Sequence, residues 1–114
     1  MSERTDDACI QDMLVAARRA VEYCAGMTFE EFIADSRTQD AVVRNIEIMG
    51  EAVKGVSEAT RQRFEQVPWK SIAGMRDRLI HDYFGVNWDI VWGVVQQDLP
   101  QLIAELQALM DESA

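Results

Sequence analysis

Apolar residues recur at helical spacing along almost the whole chain, and no segment alternates in the manner of a strand. Ile10, Met13, Leu14, Ala17, Val21 and Cys24 share one face of a helix that starts at Thr5-Asp6-Asp7 and stops at Gly26. Thr28 caps a short helix through Phe29, Phe32 and Ile33, with Glu31 at the capping-box position, and both phenylalanines belong to a core. From about Arg37 to Val56 runs a long helix whose Val42, Ile46, Met49, Val53 and Val56 form a stripe near a 3.5-residue repeat. Asn45 sits at the edge of that stripe, where a buried amide needs a partner, and Ala41, Ile48 and Ala52 make a second apolar facet beside it. A helix with two such facets packs on its own bundle and on a second subunit, or is covered on two sides within one monomer.

Ser57 caps a further short helix to about Phe64 that carries Arg61 and Arg63 into solvent. Pro68 suits the first turn of a helix spanning Trp69 to Phe84. Gly74 within it costs about 1 kcal/mol relative to alanine, which points to close approach of another backbone. Gly85 breaks that helix, and Asn87 caps another carrying Ile90, Val91, Val94 and Val95, on which Trp88 and Trp92 pack together. Asp98 and Pro100 mark a joint before the last amphipathic face of Leu102, Ile103, Leu106, Leu109 and Met110. The pattern predicts one all-α domain over residues 1–114, an antiparallel bundle of about five to six helices.

Composition narrows the function classes. The net charge of −9 argues against a general nucleic-acid binder. It is uneven: residues 37–81 hold eight basic and six acidic side chains, whereas residues 82–114 hold six acidic and no Lys or Arg. The basic third therefore has room for a local phosphate contact, while the acidic ends read as solvated faces or a docking surface for a basic partner. No apolar run approaches the roughly 18–20 residues of a membrane span, and the polar, acidic start is unlike a signal peptide. Cys9 and Cys24 fall about four turns apart on one helix, too far to bridge, so they are expected as small buried hydrophobes in a cytoplasmic protein. One histidine and no clustered ligands make no metal site, and no glycine-rich loop cradles a nucleotide.

The chemistry concentrates in Arg76-Asp77-Arg78-Leu79-Ile80-His81-Asp82-Tyr83, which holds the sole histidine. On an unbroken helix from Trp69, Arg76 lies inside the apolar stripe with Tyr83, while Asp77 and His81 share a polar flank. An arginine facing a core must be paired or must line a cleft. Asn45, Glu47 and Glu51 of the long helix are its candidate partners, and Asp77 is placed to orient the imidazole. Arg76 and His81 point apart on such a helix, so their convergence needs the reach of the arginine side chain, an unwinding helix end near Gly85 or, the favoured route, a second copy across a dimer axis. An imidazole, a guanidinium and a phenol are the parts needed to cleave RNA through the ribose 2′-hydroxyl without a metal.

Arg76-x4-His81-x-Tyr83 resembles the R-x4-H-x-Y motif of the HEPN superfamily, including the polar residue after the arginine, Asp77. The run from Thr38 to Ala52, the block Pro68 to Met75, Val91-Trp92 and Asp98-Leu99-Pro100 resemble the HepT-like branch, in order, over roughly residues 8–110. The resemblance implies a HEPN-like helical homodimer, the toxin of a toxin–antitoxin pair and a metal-independent ribonuclease acting on RNA or tRNA. It implies catalytic Arg76 and His81, with Asp77, Tyr83 and Asn45 supporting the site or contacting RNA. The implied antitoxin is a minimal nucleotidyltransferase that transfers AMP onto Tyr83. ATP would serve that partner, and the chain itself needs no cofactor. The competing reading is a catalytically inactive subunit that binds a nucleotide or scaffolds the nucleotidyltransferase.

Overall fold

The computed structural model describes residues 5–81 and 85–113, with the backbone alone at Ile80, His81 and Ser113. The chain forms α1 (Asp6–Tyr23), α2 (Phe29–Ile33), α3 (Ser36–Val53), α4 (Glu58–Arg63), α5 (Trp69–Ala73) and α6 (Met75–Leu79). A two-residue pair of strands follows, β1 (Ile80–His81) and β2 (Gly85–Val86), then α7 (Trp88–Gly93), a π-turn over Val94–Asp98 and α8 (Leu99–Ser113). No helix among the described residues is long and apolar enough to cross a membrane.

The helix starts follow the sequence closely because side chains satisfy the first free N–H groups. Thr5 accepts from the Ala8 amide at 3.1 Å. Thr28 and Glu31 form the reciprocal capping box. Asp35 caps α3 through the Thr38 amide, Ser57 caps α4 and Asn87 caps α7. Arg61, expected in solvent, instead donates to the carbonyls of Val53 and Val56 at 2.7 and 3.1 Å. It thereby closes the C-terminal end of α3, where free carbonyls favour a cation.

The core lies between α1, α3 and α8. Ile10, Met13, Leu14, Ala17 and Ala20 of α1 meet Val42, Ile46, Met49 and Val53 of α3, and Leu102, Leu106 and Leu109 of α8 cover the other side. α1 and α3 run antiparallel, since Asp6 at the start of α1 receives the Ser57 amide and hydroxyl just beyond α3, at 2.8 and 2.6 Å, and the Thr60 hydroxyl as well. Cys9 and Cys24 are both free thiols within this core. Phe32 is fully buried, and it joins the two tryptophans. Trp88 and Trp92 each meet its ring, with centroids 5.8 and 5.2 Å away, and Trp92 also meets Phe29.

Three expectations are corrected. The helix from Trp69 to Phe84 is two short helices broken at Gly74, whose φ of −92° and ψ of 1° take it out of helical geometry, and α6 ends at Leu79. The Leu79 carbonyl accepts the Asn87 amide at 2.8 Å, so the chain leaves the helix for a short ladder pairing Ile80 with Val86 and His81 with Gly85. Gly85 has a φ of +83°, open to glycine at no steric cost. No foreign backbone crowds Gly74; the tight approach is at Gly55, where an added Cβ would stand 2.6 Å from the Cys9 sulfur. The joint at Asp98–Pro100 is a continuous helix. The Leu99 amide reaches back five residues to the Val94 carbonyl, a widened turn ahead of a proline that has no N–H to give and whose ring would crowd an α-helical carbonyl.

The hydrogen bonds from Ser57 and Thr60 hold the Asp6 carboxyl below its ordinary pKa of 3.8. Its contribution to stability is complete above that value and is lost as the pH falls through it toward the depressed folded value. Asp6→Asn is expected to lower stability at pH 7 by about 1 kcal/mol and to flatten the acid limb of a plot of thermal midpoint against pH.

Candidate active site around Arg76

Arg76 occupies the first turn of α6, and it does not face the core. Met75 and Leu79, one helical turn apart, take the buried positions there, and the Arg76 side chain is 52% exposed. The break at Gly74 is the reason. A projection from Trp69 accumulates 100° per residue only while the helix is continuous, and α6 starts with its own orientation. Arg76 is therefore a surface group with one firm partner among the described residues: its Nε donates to Oε2 of Glu47 on α3 at 2.9 Å. Asp77 follows more loosely, with Oδ1 3.8 Å from an Arg76 Nη.

The hydrogen bond to Glu47 is the main force holding the Arg76 guanidinium charged above its ordinary range. The Glu47 charge adds to it, with smaller contributions from Asp77 and Glu51. With Nε engaged, the Nη groups form a planar fork on an open surface, the geometry that binds phosphate oxygens in pairs.

The other members of the motif are placed by the chain. His81 lies on β1, opposite Gly85 and beyond the end of α6. The helical argument that set Asp77 one turn from His81 therefore no longer holds, because the two residues stand on different elements. Asp77 itself is exposed. Tyr83 lies outside the described residues. Asn45 is 6% exposed, and its amide nitrogen donates to the Ala41 carbonyl at 2.8 Å, so it is not the partner of Arg76. Its Oδ1 is buried without a hydrogen-bond partner.

A feature the sequence did not single out is a groove of about 650 Å³ between α1 and α3, lined by Cys9, Asp12, Arg44, Ile48, Glu51, Ala52, Lys54 and Gly55. A smaller depression with Asn45 continues it, sharing Asp12 and Ile48. The half-buried apolar facet of α3 was the available signal. Glu51 belongs both to the groove and to the charges sensed by Arg76, which places groove and guanidinium on neighbouring parts of one surface. Among the described residues, no group of three or more His, Cys, Asp or Glu side chains is arranged to hold a metal ion.

The family model described as "Ribonuclease HepT-like" matches residues 13–109. The chain is 38% identical over 112 residues to "Putative RNase MJ0127" of Methanocaldococcus jannaschii, covering 98% of this chain and 93% of that one. It is 36% identical over 107 residues to "Probable ribonuclease HepT" of Thermococcus cleftensis, covering 94% and 97%. No solved structure matches the chain. With most of its length matched by the family model and by full-length relatives above one-third identity, this chain belongs to the HepT-like ribonuclease family.

Proposed function

We propose that the chain is a metal-independent endoribonuclease that cleaves RNA or tRNA through Arg76 and His81. It serves as the toxin of a pair whose antitoxin is a minimal nucleotidyltransferase. The observation that carries this reading is the half-exposed side chain of Arg76, braced through Nε with no hydrogen bond to its Nη groups among the described residues, five residues ahead of the sole histidine. Relatives named as RNases support it.

The chemistry needs no other group type. Neutral His81 takes the proton of a ribose 2′-hydroxyl, and the 2′-oxygen attacks the adjacent phosphorus. The Arg76 fork stabilises the extra negative charge of the crowded phosphate. The bond to the 5′-oxygen breaks, and an acid returns a proton to that oxygen. The products are a 2′,3′-cyclic phosphate and a 5′-hydroxyl. With one histidine in each chain, a homodimer supplies the second imidazole for the acid role. Tyr83 supports the site and is the acceptor for AMP from the antitoxin, which would use ATP for that transfer.

The outward face of α3 supports the dimer. It presents the half-buried Ala41, Ile48 and Ala52 between exposed charges, with Asp40 and Arg44 on one side of Ile48 and Glu51 and Lys54 on the other. Arg44 and Glu51 are spaced about equally around Ile48. A two-fold axis there, with the helices antiparallel, sets Arg44 against Glu51 of the partner subunit and the reverse, a self-complementary arrangement. Glu47 and its bonded Arg76 then flank the axis.

Three outcomes are expected. Purified protein in EDTA cleaves total RNA or tRNA to ends carrying 2′,3′-cyclic phosphate, and folded His81→Ala does not. No cleavage, with an intact mass raised by one AMP, identifies a silenced toxin; no cleavage by the unmodified chain favours the non-catalytic nucleotide-binding or scaffold subunit. Arg76→Ala abolishes cleavage while circular dichroism and the thermal midpoint stay unchanged, because an exposed ion pair contributes little to stability. In light scattering coupled to gel filtration the wild type is a dimer. Arg44→Glu and Glu51→Arg each shift it toward monomer and the double variant restores it, whereas a monomeric wild type overturns the dimer.

A further inference from the structure

Glu47 is placed to do more than neutralise its neighbour. It projects from the middle of α3, between Ile46 and Met49, both at or below 1% exposed. The backbone beneath it is therefore among the most firmly packed in the molecule. The carbonyls of Ile72 and Ala73 lie over Gly50 on the same helix, 3.7 Å from where a Cβ would stand. This contact sets the end of α5, and hence the start of α6, directly on α3. The backbone positions from which Glu47 and Arg76 reach one another are thus held by packing on both sides.

The bond itself is selective. Glu47 takes Nε and leaves the Nη fork, while Asp77 stands 3.8 Å from one Nη, too long for a hydrogen bond. An arginine on a surface explores many rotamers, and ordering it at the moment of reaction costs free energy. Glu47 supplies that ordering in advance. It also carries a negative charge beside a site meant for phosphate, so it opposes the binding of every polyanion, substrate included.

We propose that Glu47 is a positioning residue for the ribonuclease reaction. It acts through Arg76 by accepting Nε–H, so that the Nη fork meets the phosphate in its attacked geometry, and it raises kcat at some expense in RNA affinity. This rests on the ribonuclease reading above. The two effects separate in steady-state kinetics.

The experiment compares wild type, Arg76→Ala, Glu47→Ala and Glu47→Gln on one tRNA substrate in EDTA, with kcat and KM measured separately and thermal midpoints recorded. Glu47→Ala is expected to lose roughly ten-fold or more in kcat, as a misplaced reacting group does, with KM unchanged or lower and the midpoint unmoved. Glu47→Gln keeps an oxygen that can accept Nε–H and removes the charge. It should recover most of the kcat and bind RNA more tightly than wild type. If wild type and Arg76→Ala do not differ, the ribonuclease reading centred on Arg76 fails, and this role falls with it. If they differ while Glu47→Ala matches wild type in kcat, or Glu47→Gln is as impaired as Glu47→Ala, the positioning role alone is overturned. Should Glu47→Ala not fold, the near-isosteric Glu47→Gln still decides: a raised KM contradicts the proposal and a lowered KM with kcat kept supports it.

Discussion

The antiparallel packing of α3 against α1 is the contact on which the other elements depend. The inner stripe from Val42 to Val53 and the α1 face from Ile10 to Ala20 bury one another almost completely. That burial removes a large apolar area from water and supplies the main driving force for a chain this small. One end of the pair is then tied by polar contacts, Asp6 to Ser57 and Thr60, and Arg61 to the carbonyls of Val53 and Val56 where α3 closes. α8 closes the remaining side, and the Phe32–Trp88–Trp92 cluster anchors α2 to α7. The short elements α5 and α6 rest on α3 and take their position from it.

This hierarchy explains why Arg76 lies on a poorly sheltered surface of a well-packed molecule. α3 contributes both the centre of the core and, on another face, Glu47, Glu51 and Arg44. A rigid helix is a better platform for a charged group than a loop, because its side chains start from a fixed backbone. The motif segment shows the opposite character. It is built from five-residue helices and a two-residue ladder, each too short to be stable alone, so its geometry is set by what it rests on.

The Arg76–Glu47 pair contributes little to stability, since about half of the arginine side chain is exposed to solvent. A buried pair in the same place would have been a structural feature whose loss unfolds the protein. The exposed pair leaves Arg76 charged and reachable, which suits the phosphate-binding role proposed for it. The groove between α1 and α3 extends the same surface, and the unpartnered Asn45 oxygen beside it marks the one buried side-chain acceptor among the described residues that the fold leaves unsatisfied.

The sequence by itself determined most of the helices, the caps at Thr5, Thr28, Ser57 and Asn87, and the core-facing stripes of α1 and α3. Each of these depends on residues three or four apart, and that spacing is visible in a linear chain. It also determined the family, because the motif and its flanking blocks are fixed strings. What it could not determine was the direction in which Arg76 points. The helical projection assumed an unbroken turn through Gly74, and a single non-helical residue there resets the angle of everything after it. Glu47, Glu51 and Asn45 were all candidate partners for the arginine on spacing alone. The choice of Glu47 depends on how α5 and α6 settle on α3, a contact between segments nearly thirty residues apart. The two-residue ladder at Ile80 and Val86 was equally illegible. It arises because the Leu79 carbonyl finds the Asn87 amide across the turn, and a backbone bond of that kind leaves no mark in side-chain periodicity.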